Sequence, residues 1–334
     1  MNSYERLYTR LDGGKPDRLP NLSLVMFFAA KLIGVPFGKY VSDYRLLCEG
    51  AFRCHEEFGI DMFCAISDPM REAEGFGAVV TIPDDNVPYS KAPLIGSVSD
   101  IGKLHPIDPA SGRRMNDRLL AVQKMKEKAA GKVPVVGWVE GAIAESCDLM
   151  GISEFMLNIM LYPDEIRELL AICYEQAVRF AKAQIAAGAD IIGIGDAAAS
   201  LIGPALYEEF ALPYEKKLAG EIHAAGGLVK LHICGNTNSL LTLMADTGAD
   251  IVDLDHMVDM NQAANIFPAD MHICGNFDPS GVLLRGTPDR IREAVRTCMQ
   301  IGDRNANLIA PGCEVPRDTP FENFLAIREE LSAV

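Results

Sequence analysis

The sequence predicts a single (β/α)8 TIM barrel spanning residues 1–334, with an N-terminal extension and a βα-loop insertion at 76–109. Three observations carry this expectation. Eight short runs rich in Val, Ile, Leu or Met alternate with long helical stretches. Two connections repeat one idiom, AAGAD at 186–190 and DTGAD at 246–250, in which a helix ends on Gly and Ala-Asp leads into the next apolar run. No break in composition divides the chain, and 334 residues, 49% of them hydrophobic, suffice for one large core. The competing architecture, an open doubly wound sheet, would carry a G-x-G-x-x-G loop after its first strand, and none is found there.

The apolar runs fall at 21–27, 61–66, 133–139, 190–195, 228–234, 250–254, 270–275 and 306–310. Helices are expected at 114–130, 163–187, 204–225, 239–247, 288–302 and 319–331. Two of them open with Pro and acids in the first turn, YPDEI at 162–166 and TPDRI at 287–291. The stretch 76–109 is full of Pro, Gly and Ser and reads as a loop elaboration with a hairpin.

A formal charge of −15 argues against nucleic-acid and anionic-membrane partners, both of which need a basic face. Nine scattered cysteines form no disulfide framework. The start, MNSYERLYTRLDGGKPDR, is polar, and the early apolar run 22–30 is too short for membrane insertion. A reduced, cytoplasmic protein is expected.

In such a barrel the chemistry sits where strands end. Asp68 follows the second strand, Glu140 the third and Asp196 the fourth; His232 and Cys234 close the fifth. Asp255 and His256 follow the sixth, Cys274 and Asn276 the seventh, and Cys313 the eighth. The set is rich in acids, thiols and imidazoles and poor in Lys and Arg. Alternation turns Lys230, His232 and Cys234 to one face, the barrel axis. Thiolate and imidazole suit Zn²⁺, and a catalytic site takes three such ligands with one position open. The third candidate is Cys313 in NLIAPGCEVP, on a turn that could reach over the mouth.

The pentapeptide HICGN occurs twice, at 232–236 and 272–276. Cys274 in the second copy is either a fourth, exchangeable ligand or a small buried thiol beside the turn in CGNFDPSGVL. Asp68 either acts in catalysis or caps the helix near Pro69. Asp196 and Glu140 follow very apolar strands and are candidates for catalysis. Asn236, Asp255 and Asn276 are candidates for substrate binding. Cys48, Cys54, Cys64, Cys147, Cys173 and Cys298 are expected to be core thiols, and Trp138 a packing residue.

The stretches SDPMREAEGFG (67–77), GADIIGIGDAAASLIGPALYEEFALPYEKKL (188–218), LHICGNTNSLL (231–241), CGNFDPSGVLLRGTPDRI (274–291) and APGCEVPRDTPFENF (310–324) resemble the uroporphyrinogen decarboxylase superfamily. Within it they are most similar to the zinc-dependent methylcobalamin:coenzyme M methyltransferases. The resemblance implies a (β/α)8 fold, zinc on His232, Cys234 and Cys313, and a structural role for the second HICGN. It also implies methyl transfer between a corrinoid and a small thiol, with Glu140 or Asp196 as an exchangeable ligand or proton acceptor. No separate corrinoid-binding module is visible, so the corrinoid is expected on another protein. The decarboxylases carry an arginine-rich segment after the first strand, whereas this chain reads NLSLVMFFAAKLIG there. Metal-free decarboxylation or lyase chemistry is therefore the alternative reading, with transfer to tetrahydrofolate a further one.

Overall fold

The computed structural model describes residues 1–301 and 306–333. In chain order the described strands are β1 (Phe63–Cys64), β2 (Val80–Thr81), β3 (Tyr89–Ser90), β4 (Val135–Glu140), β5 (Ile191–Gly195), β6 (Leu228–Ile233), β7 (Ile251–Leu254), β8 (His272–Cys274) and β9 (Ala306–Leu308). Seven of them form one parallel sheet in the order β1-β4-β5-β6-β7-β8-β9, while β2 and β3 pair as an antiparallel hairpin within 76–109.

The eighth barrel position is filled by extended chain around Asn21. Leu22 N donates to Ile309 O at 2.8 Å and Ile309 N to Pro20 O at 2.9 Å, while Asp61 N donates to Asn21 O at 2.7 Å on the other side. The expected strand 21–27 is thus reduced to a single bridge. Phe27 already begins a helix, Phe27–Leu32, and its N–H is taken by Glu314 Oε1 at 2.7 Å. The fold is the expected (β/α)8 barrel.

The repeated Gly-Ala-Asp idiom has a physical role in this closure. Asp190 Oδ2 accepts from Val135 N at 2.9 Å, and Asp250 Oδ2 accepts from Val229 N at 2.7 Å. Asp61 does the same for Asn21 N at 2.8 Å. In each case the backbone N–H of the Asp also bonds that residue's carbonyl. An acid just ahead of a strand satisfies a donor at the start of its neighbour and sets the register. Gly188 ends the helix Pro163–Ala187 at φ 116°, where a side chain would be strained.

The helix Ser3–Leu11 covers the lower end of the barrel. There the fully buried Asp61 receives Arg6 Nη1, Arg18 Nη1 and Ser3 Oγ, each at 2.7 Å. The expected helix 204–225 is interrupted: Gly203–Leu206 leads into a π turn at Tyr207–Ala211, then Leu212–Ala224. Pro213 has no N–H with which to continue the ladder. The expected helix 239–247 shrinks to a 3₁₀ turn and Leu241–Met244. Pro288–Gln300 is helical, and the expected end at Gly302 lies outside the described residues. No described helix is long and apolar enough to cross a membrane.

Candidate metal centre

Strand register places one ring of residues around the barrel. Glu140 is level with Gly195, Gly195 with His232, His232 with Asp253, and Asp253 with Cys274. Gly195 leaves the ring open at its position. A Cβ there would stand 3.0 Å from Trp138 Nε1 and 3.2 Å from Glu140 Oε2, so glycine gives Glu140 and Trp138 their room. One step lower, Lys230 is level with Ile251 and Ile251 with His272.

This register separates the two HICGN copies. In the second, Cys274 rather than His272 is level with His232. His272 lies lower, buried, with Nε2 3.0 Å from Leu11 O at the covered end. Cys274 is fully buried beside Asp253 and Lys230, and burial raises its pKa well above the usual thiol range. It lies outside the cluster formed by the first copy. DMHICG at 270–275 also spells the D-x-H-x-x-G pattern of corrinoid-binding loops. Here it is the barrel strand β8, with its histidine turned away from the mouth.

The structure brings His232, Cys234 and Cys313 together, their ligand atoms within 4.8 Å of one another. His232 Nε2 is 3.0 Å from Cys234 Sγ and 3.9 Å from Cys313 Sγ, and the two sulfurs are 3.8 Å apart. Cys234 is fixed by its neighbour Gly235, at φ 91°, whose N–H donates to Asp255 Oδ2 at 3.0 Å. Cys313 reaches the mouth because Gly312 lies against the backbone of Asp255 and His256; a Cβ there would fall 2.2 Å from His256 N.

The cluster's electrostatics are those of a shared proton. The hydrogen bond with Cys234 holds the Cys313 thiol well below the usual range, against burial and with help from His232. The same bond raises Cys234, and burial adds to it. Burial lowers His232, but Cys313 and Asp253 outweigh it, so its pKa rises. Behind the imidazole, His232 Nδ1 has no hydrogen-bond partner among the described residues, and Asp253 Oδ2 stands 3.7 Å away. Asp253 also pairs with the fully buried Lys230. Two thiols and an imidazole nitrogen, with a carboxylate behind the other ring nitrogen, fit a soft dication such as Zn²⁺.

The remaining sequence candidates have mixed placements. Glu140 lines a cavity of about 380 Å³ that also touches Cys234. Its Oε1 accepts from Arg71 Nη2 at 2.7 Å, and burial raises its pKa well above the usual range. Asp196 lies 1% exposed, its Oδ1 accepting from Ala144 N at 2.7 Å at the start of the helix Ala142–Met150. Burial pushes it up to about 7, against those backbone bonds, and Glu215 packs beside it. Asp68 is held by Arg114 and Ser67 and accepts from Met70 N at 3.1 Å. Asn276 Nδ2 donates to Asp255 O at 2.9 Å and Val258 O at 2.8 Å, fixing the loop under Cys313. Asn236 accepts from Asn238 N at 3.2 Å and from its side chain at 2.7 Å.

Sequence reasoning missed the buried charges behind Glu140: Arg71, Glu72 and Glu145, each 1% exposed. The mouth is thus less poor in arginine than the strand ends suggested. The available signal was MREAE directly after a strand end, where charged residues open a helix under the mouth.

Residues 2–333 match the uroporphyrinogen decarboxylase (URO-D) family. The chain belongs to that family. It is 30% identical over 326 residues to the methylcobamide:CoM methyltransferase MtbA of Methanosarcina acetivorans, covering 96% of this chain and 94% of that protein. It is 27% identical over 288 residues to a uroporphyrinogen decarboxylase of Carboxydothermus hydrogenoformans, covering 83% of this chain and 81% of that one. A solved methyltransferase from Methanosarcina mazei superposes with a TM-score of 0.91 at 24% identity, covering 100% of this chain and 99% of that one, and so shares the fold. The chain is accordingly a methyltransferase of this family.

Proposed function

We propose that the chain moves a methyl group between a corrinoid and a small thiol, at a zinc site built from His232, Cys234 and Cys313. The observation that carries this reading is the convergence of the two strand ends, β6 and the turn after β9, on one point with three soft donors. Bound zinc would lower the pKa of a thiol in the open position, making a nucleophile at neutral pH.

The chain's own residues prepare that position. Asp253 stands where it can accept from His232 Nδ1, leaving Nε2 for the metal. Asp255 and Gly312 hold Cys234 and Cys313 in place. Glu140 Oε2 makes no hydrogen bond among the described residues and is the group placed to take the thiol's proton, while Asp196 is engaged at a helix start. Transfer then balances simply. A sulfur–carbon bond forms, the cobalt–carbon bond breaks, its electron pair stays on cobalt, and the proton leaves to the carboxylate. The corrinoid arrives on a separate protein docked over the mouth, with the 76–109 hairpin as one contact, in the cytoplasm.

The test is zinc per chain in protein purified without chelator, wild type against Cys313→Ala, followed by thiol-dependent demethylation of methylcobalamin. About one zinc in the wild type, lost in the variant together with demethylation, supports the reading. Equal zinc in both proteins overturns it.

A further inference from the structure

Of the nine cysteines, Cys234 and Cys313 alone are incompletely buried. Their sulfurs stand 3.8 Å apart, and Cys234 borders the cavity of about 380 Å³ beside the metal centre. A small oxidant entering that cavity meets a paired thiol. We propose that Cys234 and Cys313 are also a modification site, which a hydroperoxide closes into a reversible disulfide that excludes zinc. Metal occupancy and oxidation then compete for the same two sulfurs. The zinc half of this competition rests on the reading above.

The spacing suits both states. Two thiolates on one tetrahedral zinc, each about 2.3 Å from the metal, stand about 3.8 Å apart. A disulfide needs about 2.05 Å, so from 3.8 Å each sulfur has to move by about 0.9 Å, the scale of a side-chain rotation. Neither residue lies inside a helix or strand: Cys234 follows β6, and Cys313 lies on the turn after β9.

The chemistry balances with one molecule of hydrogen peroxide. One sulfur attacks a peroxide oxygen, the oxygen–oxygen bond breaks, and a sulfenic acid and a water form. The second sulfur displaces the hydroxyl, the sulfur–sulfur bond forms, and a second water leaves. The two cysteines lose two electrons and two protons between them. A partner sulfur this close intercepts the sulfenic acid ahead of irreversible oxidation to the sulfinic acid. The disulfide has no thiolate to offer a metal, so His232 is left as the one donor of the three and zinc departs. A dithiol returns both thiolates by exchange. Such a bridge is of the transient, sensing kind found in reducing compartments. Cys147 also borders the cavity but is 5% exposed, which makes it the internal control.

The experiment treats zinc-containing wild-type protein with hydrogen peroxide. Released zinc is followed with a chromogenic chelator, and bridges are mapped by peptide mass spectrometry without reduction. The expected result is a Cys234–Cys313 bridge formed in step with zinc release, and recovery of both thiols and the metal on adding dithiothreitol and zinc. Free zinc at ten times its Kd should slow bridging about ten-fold, because the metal-free fraction falls by that factor. A sulfinic acid with no bridge, a bridge that includes Cys147, or a bridge formed with zinc retained overturns the inference and leaves the metal reading standing. If the protein binds no zinc at all, the metal reading falls and the competition falls with it.

Discussion

Asp253→Asn separates the two jobs that Asp253 holds. Its carboxylate pairs with Lys230, which is 0% exposed, and it lies 3.7 Å behind His232 Nδ1. Removing the charge leaves a buried ammonium without its partner, a loss of about 3–5 kcal/mol of stability. Removing the acceptor behind the metal-binding imidazole should weaken zinc by about 10–100-fold. The first effect is read by urea unfolding of the zinc-free protein, because bound metal would add its own stabilisation. The second is read by competition with a chelating dye. Combining Asp253→Asn with Lys230→Met removes the stranded cation, so most of the stability should return while zinc affinity stays low. Unchanged zinc affinity in Asp253→Asn, or zinc affinity restored along with stability in the double variant, would refute the orienting role of the carboxylate.

Three further outcomes follow from the same geometry. Cys313→Ala should lose most bound zinc while Cys274→Ala keeps it, measured by elemental analysis, since Cys274 lies outside the donor cluster. Asp196 is raised from 3.8 to about 7, so its contribution to stability is fullest below pH 4 and falls as pH climbs through 7. That rise corresponds to a loss on the order of 4 kcal/mol, shared with Glu215, and Asp196→Asn should flatten the pH dependence of urea unfolding between about pH 4 and 7. Asp68→Asn keeps an acceptor for Met70 N but strands Arg114, 2% exposed, and should cost about 3–5 kcal/mol in the same assay.

The grouping of His232, Cys234 and Cys313 was legible because the patterns behind it are short. A period of two aligns His232 with Cys234, and a Pro-Gly-Cys turn past the last strand brings Cys313 over the mouth. The relation between the two HICGN copies was not, because it depends on stagger between strands. Only pairing shows that Cys274, not His272, stands level with His232. The Asp of Gly-Ala-Asp was read as a connector, yet its carboxylate also ties two strands together, which no single segment reveals. Arg71 and Glu140 are 69 residues apart, and each looks like an ordinary residue beside its own helix or strand. Their pairing exists only once two βα-loops meet.

That pairing bears on the alternative chemistry. A substrate rich in carboxylates needs free cations at the mouth, and the arginines near it are already engaged. Arg71 serves Glu72 and Glu140, Arg114 serves Asp68, and Arg118 serves Asp117. Pulling Arg71 or Arg114 away from its partners would leave a buried carboxylate behind, so the loss inside the protein offsets the gain outside it. Methyl transfer to a small thiol draws on none of these arginines. If decarboxylation were nevertheless the activity, it would survive His232→Ala, since a metal-free reaction has no use for the cluster at β6. Thiol-dependent demethylation of methylcobalamin would not survive it, so this one substitution, assayed for both reactions, decides between them.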